Sequence, residues 1–376
     1  MKILHLSNDE KFVPLAVSLF EQAFVGQNRF LLSRVRPGAI RHVAPSPQVS
    51  HHGSLRFRWP WIARDLAAAD CVVVHLMSSR FAPALRHVRA DTLVVWLAGG
   101  SDYMPLLEPV LGTLWLPDTT EMMRELEAAP RSATAPPAVP AAPKAPPPVV
   151  AVALRVDVFS ANPADAKLLR GVLPSLRAAL HTIPSFTVED VFAAGTPAMA
   201  GPDVLLGNSA TPTNNHLEAL ALLRGRLPPG GRVVAPLSYG KAPAAYAGAV
   251  AEAGRAALGD RFDPLMGWML IEAYNTRIAR CGFVFMNHLR QQAVGNICAA
   301  LYRGATLYLR QKNPLFGFFT ELGITLRAID ALEADPQAAL CELTPQQKLS
   351  NRQAIEARYA RECVVGRIRA LEGFRR

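Results

Sequence analysis

Short, nearly unbroken apolar runs recur along this chain, and most of them end abruptly in polar residues. Residues 2–6, 71–77 and 93–97 in the first half, and 204–206, 233–236, 283–286 and 306–309 in the second, have the length and content of strands buried on both faces. Between them lie stretches with apolar residues at helical spacing: 12–24, 168–180, 214–223, 291–302 and 316–322. Residues 182–188 read as a further strand of the first half, and 359–374 as terminal helices. Strands alternating with helices predict an α/β chain with parallel, doubly wound sheets. In such sheets ligands gather at the carboxyl ends of the strands, so the polar clusters there carry the interest.

Length decides the domain count. A chain of 376 residues, half of them apolar, can bury two cores of ordinary size. The boundaries read as a first domain at 1–196, a linker near 194–202, a second domain at 203–345, and helices at 346–376. Residues 128–149 are almost wholly Ala and Pro and predict an extended, exposed loop or tether; because 168–180 and 182–188 still read as elements of the first half, it falls inside the first domain.

Composition narrows the partners. A formal net charge of +10 and a pI near 9.7 favour anionic ones, whether nucleic acid, a phosphorylated donor or an acidic membrane. An Arg-, Ala- and Pro-rich composition also yields that charge with no binding role. The five cysteines include no CxxC pair, which points to buried thiols in a reducing compartment. With a short apolar amino terminus and no apolar run of about 18 residues, the expectation is a cytoplasmic protein, soluble or peripheral to the inner membrane. The segment RFRWPWIAR at 56–64 mixes arginine with Trp59 and Trp61, a composition suited to a membrane interface, although two ordinary core tryptophans would look the same.

The run FVFMNHLRQQAVGNI at 283–297 joins a buried strand to Asn287, His288, Arg290, Gln291 and Gln292, and then to a helix with Gly295 and Asn296 in its first turns. A guanidinium beside free helix N–H groups suits a nucleotide diphosphate; polar residues that merely cap the helix fit the spacing equally. Gly207, Asn208 and Ser209 end one strand, with Asn214 or Asn215 placed to cap the next helix, while Ser238 and Tyr239 end another. His216, alone on a helix, reads as structural. In the first half, Asp9 follows the first strand and Asp102 lies in the turn AGGSDY, each a candidate general base or a plain turn former.

The motifs NHLRQQAVGN, NPLF at 313–316, GNSATPTNNH at 207–216 and APLSYG at 235–240 resemble, in order, the bacterial TDP-N-acetylfucosamine:lipid II N-acetylfucosaminyltransferase family. It is also called the 4-alpha-L-fucosyltransferase family, glycosyltransferase family 56. The resemblance implies the GT-B architecture, two Rossmann-like domains facing a cleft with the helices at 346–376 crossing back to the first, and transfer of a deoxyamino sugar from a TDP-sugar to a polyprenyl-diphosphate-linked or other surface-glycan acceptor. It implies donor contacts at Gly207, Asn208, Ser209, Asn215, Ser238, Tyr239, Asn287, His288, Gln291, Gln292, Gly295, Asn296 and Asn313. Arg290 would stabilise the leaving diphosphate, and a base, Asp9 or Asp102 ahead of Glu10 and His5, would come from the first domain. With no DxD motif, no metal and no cofactor beyond the donor are expected. The Ala/Pro insertion and the wording RQQAVGN depart from the enterobacterial type and leave donor and acceptor open. Two other classes remain: a nucleic-acid-binding protein, which the charge favours but for which no module is visible, and a non-catalytic nucleotide-sugar-binding protein.

Overall fold

The computed structural model describes residues 1–33, 40–128, 146–191, 196–240 and 244–375. The chain divides into two units. The first holds a seven-stranded, all-parallel sheet in the order β3-β2-β1-β4-β5-β6-β7. Its strands are β1 (Ile3–Asn8), β2 (Asn28–Ser33), β3 (Val49–His52), β4 (Cys71–His75), β5 (Leu93–Leu97), β6 (Val158–Ser160) and β7 (Ala179–Leu180). The second unit holds a six-stranded parallel sheet, β10-β9-β8-β11-β12-β13. Here β8 is Val204–Leu206, β9 Val233–Pro236, β10 Phe262–Leu265, β11 Phe283–Met286, β12 Thr306–Leu309 and β13 Arg327–Ala328.

Each sheet is covered on both faces, which is why its central strands are apolar throughout rather than alternating. Along β1 the period of two sends Leu4 and Leu6 into one core with Val72, Val74 and Trp96. Ile3 goes into the other, with Phe30, Val73 and Phe20. The helix Arg361–Arg369 packs Val364, Val365 and Ile368 into that second core, so the chain's last helix completes the first unit.

Both sheets reverse strand order at one place. In the first unit it lies between β1 and β4, and in the second between β8 and β11. Loops leaving neighbouring strands there run in opposite directions and open a crevice at the carboxyl edge.

Several expectations are corrected. Residues 182–188 form no strand: Pro184 withholds a donor, and Ile183 is held instead by the Ser160 side chain, its N–H donating to Ser160 Oγ at 2.8 Å. The helix expected at 168–180 runs from Pro163 to Val172, started by the Asn162 side chain accepting from Ala164 N at 2.9 Å, and Ala179–Leu180 is β7. Residues 113–128, expected in the first domain, belong to the second unit through Leu116 and Thr119, whose backbone N–H groups donate to Asn215 Oδ1 and Glu218 Oε1 at 2.8 and 2.9 Å. Most of the Ala/Pro stretch and part of the expected linker lie outside the described residues. At its carboxyl end the stretch does pack, because Val149 is fully buried. Met199 and Ala200 are bonded into the second unit, to Arg303 O at 2.8 Å and Ala279 O at 2.9 Å.

Candidate active site

Two turns at the switch point of the second unit build the candidate site. The first leaves β8 through Gly207, whose φ of +66° suits glycine; a Cβ there would also meet Asn214 Oδ1 at 2.8 Å. Asn214 is fully buried and holds the turn from inside. Its amide donates to Ser209 O at 2.9 Å and Thr211 O at 3.0 Å, and its Oδ1 accepts from Asn208 N at 3.2 Å. Gly240, after β9, leaves room for the same turn, since a Cβ on it would sit 2.3 Å from Ala210 O. Ser238 is half-buried there and Tyr239 is exposed.

The second turn leaves β11. Its helix begins at Val294, later than the Gln291 expected, because Ala293 takes a left-handed φ of +57° and turns the chain into the helix without a side-chain cap. The N–H groups of the first turn therefore have no capping side chain, and Arg290, Gln291 and Gln292 precede them half-buried. Gly295 lies half-buried in that first turn, with Asn296 exposed beside it.

The two turns are tied across the crevice. Asn287 Nδ2 donates to Asn215 O at 2.9 Å and Asn215 Nδ2 returns a bond to Asn287 O at 3.0 Å. Arg310 Nε donates to Asn287 Oδ1 at 2.6 Å while its guanidinium grips Glu333. Gln292 bridges the turns nearer the surface, donating to Asn208 Oδ1 at 2.8 Å and accepting from Thr213 Oγ1 at 2.6 Å. Asn313 caps its own helix at Leu315 N, 2.9 Å, and donates to His288 O and Arg290 O at 3.0 and 2.8 Å. Of the predicted donor residues, Asn215, Asn287 and Asn313 thus have their amides engaged in shaping the turns. Arg290, Gln291, Asn208, Ser238, Tyr239, Gly295 and Asn296 remain at least partly open at the edge.

Two buried histidines line the floor. His288 Nε2 lies 3.1 Å from Asn214 Oδ1. Because the Asn214 amide nitrogen already donates to carbonyls, that oxygen must accept, and His288 carries its proton on Nε2. His288 Nδ1 and His216 Nε2 are buried without a hydrogen-bonding partner among the described residues. Burial, joined by the charges of Arg290 and His216, lowers the His288 pKa to about 3. Burial alone takes His216, bonded to Tyr246 OH at 2.9 Å, to about 3. Both are neutral at physiological pH.

The two predicted bases of the first unit are both occupied. Asp9 lies after β1 and accepts from Arg41, His42 and Val43 N–H. Partial desolvation raises its carboxyl, and those three donors outweigh it, leaving it below the ordinary range. Asp102 is buried and accepts from Met77 N at 2.9 Å, Gly99 N at 3.1 Å and Trp96 Nε1 at 2.7 Å. Burial raises Asp102 despite the indole and backbone donors that lower it. It clamps the turns after β4 and β5.

Residues 183–353 match the model described as 4-alpha-L-fucosyltransferase, glycosyl transferase group 56. That span is group 56 sequence. It includes the switch-point turns, the Asn215/Asn287 pair and Arg290, and it makes the chain a glycosyltransferase. Among solved structures, a sucrose-phosphate synthase from Thermosynechococcus elongatus is similar over 99% of this chain and 98% of its own, with a TM-score of 0.60 at 11% identity. A UDP-forming alpha,alpha-trehalose-phosphate synthase from Burkholderia xenovorans covers 100% of this chain and 98% of its own, TM-score 0.53, 11% identity. The N-terminal domain of Candida albicans trehalose-6-phosphate phosphatase covers 99% and 95%, TM-score 0.59, 8% identity. At such identities the likeness concerns the fold alone, and the fold of this chain is GT-B.

Proposed function

We propose that this chain transfers a deoxyamino sugar of the N-acetylfucosamine kind from a TDP-sugar to a polyprenyl-diphosphate-linked or other surface-glycan acceptor. One observation carries the reading: an uncapped helix N-terminus at Val294, with Arg290 beside it, at the switch point of the group 56 unit. The diphosphate lies against the first-turn N–H groups and the guanidinium, which neutralise charge as the bond from the anomeric carbon to the phosphate oxygen breaks. These fixed donors do the work of a divalent ion, so transfer proceeds without metal. Asn208, Ser238 and Tyr239 contact the nucleotide and sugar. Calorimetry with TDP, UDP and GDP tests this: TDP is expected to bind at micromolar Kd, tighter than the others and equally well in chelator. Binding of none of the three, or binding that requires magnesium, rejects it.

The enzyme acts as a peripheral protein on the cytoplasmic face of the inner membrane. Among the described residues no helix is long and apolar enough to cross a membrane. Leu55, Trp59 and Trp61 are 63%, 52% and 66% exposed and lie among the exposed Arg58 and Arg64, so the tryptophans expected as core or interface are in fact on the surface. Exposed indoles with arginine suit an anionic headgroup layer. Sedimentation with phosphatidylglycerol-containing vesicles should fall at least fivefold in a Trp59→Ser, Trp61→Ser variant. Equal sedimentation of variant and parent would refute the assignment.

A further inference from the structure

The turn that follows β4 in the first unit gathers hydrogen-bond donors with no acceptor to match them. It leaves the strand at the switch point, where β4 lies beside β1, and carries Ser78, Ser79 and Arg80 at the carboxyl edge of the sheet. Leu76 turns the chain with a φ of +60°, unusual for a residue with a side chain, and Asp102 pins the next residue by accepting from Met77 N at 2.9 Å. Arg80 then reaches the ends of β1 and β2, donating from Nη1 to Ser33 Oγ at 2.8 Å and Asn8 Oδ1 at 3.5 Å.

A guanidinium can only donate, so these two contacts fix the roles of their partners. Ser33 Oγ accepts, and its own proton meets no acceptor among the described residues although Ser33 is only 1% exposed. Asn8 presents its amide oxygen to Arg80, which leaves its N–H groups without an acceptor among the described residues. Ser78 Oγ is buried with no partner among them either. Nε and Nη2 of Arg80 stay unused, because one nitrogen makes both contacts. Leaving such donors unmade costs stability, and a ligand rich in acceptors removes that cost.

The charge is not neutralised. Arg56, Arg155 and Arg361, also partly buried in this unit, pair with Asp65, Asp157 and Asp190. Arg80 has no carboxylate partner among the described residues, and the sequence has no Asp or Glu outside them. Asp9, the residue after β1, accepts instead from the N–H groups of Arg41, His42 and Val43. Arg80 is half-buried and Ser79 exposed, so the cluster opens to solvent. Two neutral partners thus hold a guanidinium in place without cancelling its charge, an arrangement suited to an anion with several oxygens.

We propose that Arg80, with Ser33 and Asn8, forms a diphosphate-binding subsite of the first unit that takes the diphosphate of a lipid-linked acceptor. The subsite rests on the surplus donors; the choice of ligand rests on the transferase reading above. Diphosphate oxygens accept from Nε and Nη2 of Arg80, from the Ser33 hydroxyl and from the Asn8 amide, and Ser78 supplies a further hydroxyl from the same turn. A soluble diphosphate shares this chemistry. The exposed Trp59 and Trp61 belong to the same unit and favour the lipid-linked source.

The test is calorimetry in chelator with inorganic pyrophosphate and farnesyl diphosphate as probes. The reference protein is the whole chain carrying Arg290→Ala, which weakens the phosphate contacts of the second unit. Adding Arg80→Gln is expected to weaken both probes about 10–100-fold, and adding Ser33→Ala about threefold. Arg80→Lys should keep part of the affinity, as a point charge without the fork. Arg80→Gln alone should bind TDP as the parent does. Probe affinities within threefold of the reference after Arg80→Gln overturn the subsite; if that variant fails to fold, an unchanged affinity in Ser33→Ala overturns it. Farnesyl diphosphate binding at least tenfold tighter than pyrophosphate supports the lipid-linked source, and equal affinities overturn that source in favour of a soluble diphosphate. A parent that binds no TDP, while the probes still depend on Arg80, rejects the transferase reading and leaves the subsite standing.

Discussion

Between pH 7.5 and pH 4.5 the stability of this protein is expected to fall by about 2–3 kcal/mol for each of three buried histidines, His75, His216 and His288, before its carboxylates matter. His5 and His75 lie in the first unit and His216 and His288 in the second, all buried. Burial depresses every one, to about 4 for His75 and about 3 for His216 and His288. The sign follows from proton counting. Above the unfolded value near 6.5, neither state binds a proton at these sites; below it the unfolded chain takes them up and the folded chain does not. Stability is therefore whole above pH 6.5 and is lost as pH falls toward 4 and 3. The two such groups of the second unit, His216 and His288, reach about 5 kcal/mol together, comparable with the whole stability of an ordinary domain. Urea unfolding at half-unit pH steps checks this, and a flat midpoint between pH 7 and pH 5 would refute it.

Arg290→Ala is expected to lower kcat for sugar transfer by about 10²–10³-fold, the cost of removing one fixed donor from a developing anion. Nucleotide affinity should weaken less, about tenfold, because the diphosphate carries more charge as it leaves than when bound in the intact donor. Arg290 is half-buried, and its Nη1 bonds the adjacent Gln291 O at 3.1 Å, a contact local to the turn. Arg290→Lys should recover part of the loss, since a point charge replaces the fork without its geometry. A melting temperature that drops with activity, or kcat within threefold of the parent, would remove Arg290 from the mechanism.

How much of this was readable from residues alone depended on the range of the interaction. Strands β5, β8, β9, β11 and β12 coincide with the apolar runs, because a parallel strand covered on both faces has a local signature. Strands β3, with two histidines, and β10, an edge strand of sequence FDPL, lack that signature and went unread. At the site, the polar edge was legible as composition and position. The roles were not: Asn215 and Asn287 bond one another across 72 positions, and Asn28, His5 and His75 join three strands. A sequence shows which residues can hydrogen-bond, while the fold decides which lone pairs are left over. That is why two turn aspartates stood out as bases although backbone donors hold both of them.

The segment 113–128 has a consequence for recombining such enzymes. Although it precedes the rest of its unit by some sixty positions, Thr119 grips Glu218 through both its N–H and its hydroxyl, and Met123 is buried in one core with Val204 and Leu206. A chimaera that exchanges donor preference by grafting a foreign second half at residue 196 would pair that half with the wrong helix. Besides the one at 196, two more crossovers, one ahead of 113 and one after 128, are needed for the graft to carry its own core.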